Sequence, residues 1–209
     1  SHTIVDIQGR ERVEKAVIAK VDENRCPIPG TEIEFDCDTI LLSVGLIPEN
    51  ELSKGADIAL DSRTNGAFVD ENMQTSVPGI FACGNVVHVH DLVDFVTMES
   101  MRAGAAAAKF VQNTSAVQSE YIEVKTAAAV TYTVPQKIHK AAEQKLVDVF
   151  FRVNKVLGKS KIKVTHEGSV IAQFPREHMA PGEMESIKIP KVILDKVTSG
   201  QIVISAEEE

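Results

Sequence analysis

Apolar and polar positions alternate in short runs along the first part of the chain, the two-residue period of a half-buried strand. The runs predict strands over residues 3–7, 13–21 and 32–35. Gln8 and Gly9 can turn the first pair, and Pro27, Pro29 and Gly30 break the chain before the third. Residues 39–44 instead form an apolar run closed by Gly45, the pattern of a strand covered on both faces within a sheet. A polar stretch without strong periodicity, residues 49–66, leads to a short strand over 67–70. A buried strand over 79–85 then stops at Gly84.

At residue 94 the period changes to that of a helix running to residue 111, with Asp94 placed to cap it. Met98, Met101, Ala105, Ala108 and Val111 recur at spacings of three and four, and the small residues of 103–108 let the helix lie close to a sheet or a bound group. Residues 112–120 turn polar and patternless, which predicts a linker. Strands are predicted beyond it over 121–125, 129–134, 147–156, 161–166, 169–174, 185–189 and 201–206, with a hairpin signal at His166-Glu167-Gly168-Ser169. Short strands separated by turn residues predict a small antiparallel β-sandwich. The reading is an α+β chain of two domains, residues 1–115 and 116–209.

Composition narrows the function classes. The formal net charge of −8, with Glu207, Glu208 and Glu209 at the end, argues against a nucleic-acid partner. No apolar run approaches the ~20 residues of a bilayer span, and the opening residues lack a signal-peptide pattern, so a cytoplasmic protein without membrane contact is expected. Cys26, Cys37 and Cys83 form no C-x-x-C pair and no metal-ligand spacing, which reads as free thiols in a reducing compartment. His88 and His90 share a face if the segment is extended. No third ligand stands out, so no metal is assigned and both read as exposed loop histidines, with proton handling as the alternative role.

Two blocks are more specific: Asp38-Thr-Ile-Leu-Leu-Ser-Val-Gly-Leu-Ile-Pro48 and, further along, Thr75-Ser-Val-Pro-Gly-Ile-Phe-Ala-Cys-Gly-Asn85. In this order, followed by an Ala-rich helix, they resemble segments of the pyridine nucleotide-disulfide oxidoreductases, flavoproteins with two dinucleotide-binding domains. The first block resembles the strand returning from the NAD(P) domain. The second resembles the T-x-x-P-G-I-F-A-x-G-D segment that closes over FAD. The resemblance covers residues 3–112 and implies part of a Rossmann-like FAD-binding domain. It implies cofactor contacts at Gly84, Asn85 and Val86 and, at the start of the helix, at Phe95, Val96 and Thr97. Gly84 would let the backbone approach the ribityl chain. Asn85 stands where the family usually has Asp, keeping hydrogen-bonding capacity without the charge. The helix would direct its N–H groups and positive dipole end at the flavin.

The family's G-x-G-x-x-G turn, which holds a dinucleotide pyrophosphate on a helix N-terminus, does not occur in these residues, and neither does a redox C-x-x-C. The expectation is the C-terminal part of an FAD-dependent enzyme that exchanges electrons with NAD or NADP. By itself the part would be inactive and without bound FAD, and its catalytic residues stay unassigned. Residues 120–209, with Tyr132-Thr-Val-Pro-Gln136 and Pro181-Gly-Glu-Met184, resemble an extra C-terminal domain of some bacterial members. Its sheet edges offer a docking place for a redox-partner protein or for the second subunit of a homodimer.

Overall fold

A computed structural model describes residues 2–43, 45–112 and 120–209. The chain forms two compact units, Ser1–Gly45 and Leu46–Glu209. Most of the predicted linker, residues 113–119, lies outside the described residues.

In the first unit β1 (His2–Gln8), β2 (Lys15–Lys20) and β3 (Ile33–Asp36) form an antiparallel sheet in sequence order. The central strand carries the buried residues Ala16, Val17 and Ala19, as expected of the strand with a neighbour on each side. Asp22 shapes the β2–β3 connection, its Oδ1 accepting the N–H groups of Asn24 and Cys26. The apolar run that predicted a doubly covered strand at residues 39–44 does not form one. Leu41 is 93% and Leu42 71% exposed. A strand buried on both faces needs neighbours to take its N–H and C=O groups, and no described strand pairs with it. Val44 lies outside the described residues.

The second unit opens with α1 (Glu51–Gly55) and α2 (Val93–Gln112). It continues with β4 (Tyr121–Ala128), β5 (Val130–Val134), β6 (Lys137–His139), β7 (Leu146–Val153), β8 (Ser160–His166), β9 (Ser169–Arg176), β10 (Glu185–Pro190), α3 (Lys191–Leu194) and β11 (Gln201–Glu208). These strands make a three-stranded sheet, β10-β7-β5, and a five-stranded one, β6-β4-β11-β8-β9. A single hydrophobic cluster takes side chains from both, among them Ile122, Phe151, Ile162, Ile189 and Ile204. Strand β8 shows why the pattern was readable: Ser160, Ile162, Val164 and His166 are buried, and the residues between them are not. The predicted hairpin turn joins β8 to β9 with Glu167 and Gly168 at positive φ. One pairing departs from the all-antiparallel expectation. β11 inserts between β4 and β8, antiparallel to β8 and parallel to β4, because the α3 crossover brings the chain back to the same end of the sheet from which β4 starts.

Residues 67–70 and 79–85 are also not strands. Ala67 and Phe81 each make one isolated bridge, to Leu60 and Gln74, and Gly84–Val86 is a turn of 3-10 helix. Positive φ at Gly79 and Gly84 breaks the extended geometry at either end of the second segment. Ala67, Val69 and Met73 are nevertheless buried, in a second cluster with Ile58, Val87, Ala103 and Val134. Helix α2 starts one residue before Asp94, which sits in its first turn and is not its cap. Its predicted apolar stripe faces outward, with Met98, Met101 and Val111 at 48%, 71% and 77% exposure. The buried face carries Glu99 and Ala103. No helix among the described residues is long and apolar enough to cross a membrane.

Phe151 is fully buried between the two sheets, so Phe151→Ala is expected to cost about 3–5 kcal/mol in urea unfolding. Val156→Ala, at a 61% exposed position, is expected to stay within about 0.5 kcal/mol.

Candidate functional site

The loop between residues 84 and 92 is placed from several sides. Gly66 lies directly under it: a Cβ there would stand 1.6 Å from the Val87 carbonyl oxygen. Asn50, buried at the start of α1, donates from Nδ2 to the carbonyls of Asn65 and Val86, both at 2.8 Å. Gly84 takes φ +70°, and an added Cβ would meet Val96 Cγ1 of α2 at 3.1 Å. Its glycine is therefore required by the turn and by close helix packing.

At the centre stands Glu99, 1% exposed on the inner face of α2. The Gly84 N–H donates to its Oε2 at 2.8 Å. His88 Nε2 lies 2.8 Å from Oε1 and His90 Nε2 3.0 Å from Oε2. Burial raises the cost of charge on Glu99, yet the two imidazoles outweigh it and hold the carboxyl down at about 2. Burial pushes the His88 imidazole down, with Glu99 offsetting only part of the effect. Glu99 is thus an anion accepting from a neutral His88. The rings stand edge to face, 4.2 Å between centroids, and are enclosed by Phe95, Tyr132 and Phe150. The reading of His88 and His90 as exposed loop residues is thereby corrected: the helix supplies a third polar group that pulls both inward.

The residues implicated by the motif separate into two sets. Gly84 is buried with its N–H engaged, and Val86 is half-buried with its carbonyl held by Asn50. Phe95 turns inward onto His90 and Phe150, and Val96 onto Gly84. Asn85 and Thr97 are exposed. Asn85 Oδ1 accepts the His90 N–H at 3.1 Å, and the Thr97 hydroxyl donates back to the Val93 carbonyl. Glu99 escaped the sequence reading. Its signal was the four-residue spacing Phe95, Glu99, Ala103, the face that is buried.

The strand-rich part grips this loop. Arg152 of β7 donates to the Val89 carbonyl at 3.0 Å, pairs with Asp91, and reaches the Pro181 carbonyl. Gln136 exchanges two hydrogen bonds with the backbone of Val69. Glu71 accepts the His139 N–H at 2.9 Å and meets its Nδ1 at 3.0 Å. Burial works against charge on His139, but Glu71 outweighs it and raises the imidazole above its ordinary value.

The pyridine nucleotide-disulphide oxidoreductase family model matches residues 2–144. The chain belongs to that family. Among family relatives it is 32% identical over 90 residues to an NADH oxidase of Streptococcus pyogenes, covering 43% of this chain and 16% of that protein. It is 28% identical over 104 residues to a ferredoxin–NADP reductase of Leuconostoc mesenteroides (47% and 31%). It is 29% identical over 89 residues to a CoA-dependent NAD(P)H sulfur oxidoreductase of Pyrococcus furiosus (43% and 17%). The aligned part thus spans less than a third of each of these relatives.

Removing the Glu99 carboxylate would strand the buried Gly84 N–H and the His88 imidazole and leave a gap beside His90. Glu99→Ala is expected to cost about 3–5 kcal/mol by chemical denaturation, against less than about 0.5 kcal/mol for Thr97→Ala on the exposed face. His139 has a raised folded pKa, so its contribution is complete below its unfolded value and is lost as pH rises through the folded one. Asp70, Glu71 and Lys137 are the charged groups that act on it. Between pH 6 and about pH 8 the wild-type melting temperature should fall relative to that of His139→Gln, a difference read by calorimetry across that window.

Proposed function

We propose that this chain supplies the flavin-facing turn of an FAD-dependent NAD(P)H oxidoreductase, within a longer protein that carries the pyrophosphate-binding segment. The observation that supports this reading is the packing of Gly84 on Val96 of α2, with the next residue, Asn85, exposed. These residues fit the cofactor. Asn85 offers an amide to a ribityl hydroxyl, and the helix start offers backbone N–H groups without intrahelical acceptors. Bound FAD would supply hydride acceptance from a nicotinamide and onward electron transfer. The protein's part is to hold the turn rigid and to present donors to the reduced ring.

Two features support a longer protein. The outward stripe of α2 and the exposed Leu41 and Leu42 are apolar surfaces of the kind that other protein covers. The relatives are also several times the matched length. In this reading residues 1–115 belong to the cofactor-binding region and 116–209 form a β-sandwich. Its outer strand β9 pairs only with β8 among the described strands. That edge suits strand addition by a redox-partner protein or a second subunit.

The test is reconstitution of the longer protein with FAD and anaerobic titration with NADH or NADPH. Loss of the oxidised flavin's visible absorption is expected, and Asn85→Ala should weaken FAD retention roughly 5- to 30-fold, the worth of about one to two hydrogen bonds. A flavin that no nicotinamide reduces would overturn the enzyme reading. Stoichiometric FAD retained by the 209-residue chain through gel filtration would overturn the division of labour.

A further inference from the structure

Buried polar atoms are nearly always hydrogen-bonded, and an exception needs an explanation. The His90 side chain is 0% exposed, yet neither of its ring nitrogens has a hydrogen-bond partner among the described residues. Its Nε2 stands 3.0 Å from Glu99 Oε2 without being aimed at it. His88 is hydrogen-bonded to the same carboxylate through Nε2, so the unaimed His90 nitrogen is the one that calls for a further partner, and an ion shared by the three side chains would supply it. The His88 and Glu99 donor atoms belong to the same group, all within 4.8 Å of each other. We propose that His88, His90 and Glu99 bind one first-row divalent cation, zinc by preference, as a structural ion that ties the 84–92 loop to helix α2.

The chemistry of the set supports this. Two imidazoles and one carboxylate form a nitrogen–oxygen site suited to zinc. Each carboxylate oxygen already stands beside one imidazole. Bonds of about 2.0–2.2 Å to a tetrahedral ion would separate neighbouring ligands by roughly 3.3–3.6 Å, so the 2.8 and 3.0 Å contacts need to open by roughly 0.3–0.8 Å. The group also places one buried anion between the imidazoles, which offsets part of the charge of a divalent ion. Phe95, Tyr132 and Phe150 close round the rings, which favours a structural role over an open catalytic one. A second grouping, Asp70, Glu71 and His139, has its acceptors occupied by Asn72, Gln74 and His139 N–H groups and serves as the control.

The experiment uses the untagged 209-residue chain, stripped with a chelator and then dialysed against zinc. One zinc per chain should remain after gel filtration, measured by elemental analysis, and zinc should raise the melting temperature. His90→Ala and Glu99→Gln, checked for folding by circular dichroism, should weaken zinc binding by at least about tenfold, and His139→Ala should leave it unchanged. X-ray absorption of the wild-type zinc complex should show two imidazoles and oxygen in the ligand shell, a readout independent of whether the variants fold. A folded wild type that retains no zinc, affinity lost in His139→Ala, or a ligand shell without the imidazole pair would each overturn the proposal.

Discussion

One ionised carboxylate in the interior organises this part of the molecule. An unpaired carboxylate taken out of water costs several kcal/mol, so Glu99 is compatible with folding only if donors come to it. They come from one short stretch, the Gly84 N–H and the His88 ring, with the His90 ring 3.0 Å away beside them. The chain after Gly84 must therefore turn back across α2, which the positive φ of that glycine permits. Asn85 is left at the outside of the turn with its Oδ1 closing the loop on the His90 N–H. The residue expected to face a cofactor thus owes its position to a buried carboxylate on the helix that follows it.

The strand-rich region is fastened to the same loop. Arg152 holds the Val89 carbonyl and Asp91, Phe150 packs on both imidazoles, and Arg102 of α2 pairs with Asp148 of β7 at 2.6 Å. Strand β7 therefore serves two cores at once. Phe151 and Val149 point into the cluster shared by the sheets, while Phe150 and Arg152 point towards Glu99, the alternation of side chains along a strand put to two uses. Val134 and Tyr132 of β5 likewise join the cluster under the loop.

Much of the strand content was legible because period-two burial leaves its mark wherever one face is wet and the other dry. β8 and its hairpin with β9 are the clearest case. The reading failed where burial came without a ladder. Residues 67–70 are mostly buried among irregular chain, so their strand pattern arose from loop packing, and in 79–85 only Gly84 is buried. It failed also on α2, whose most apolar stripe is outermost and whose inner face is marked by a charged residue. The spacing of Phe95, Glu99 and Ala103 marks the inner face of the helix, but the histidines that meet the glutamate come near only in the folded loop. The family motif located the turn correctly, because Gly84 and its neighbours carry their requirement in backbone geometry, which sequence records directly.

The close approach at Gly66 extends this dependence upstream. The Val87 carbonyl occupies the space where any other residue's first side-chain carbon would lie. Even alanine would lift the loop and carry His88 away from its carboxylate. The histidine–glutamate knot is thus vulnerable at a position with no side chain and no charge. In a catalogue of damaging variants, position 66 would look like a site residue while sharing none of a site's chemistry.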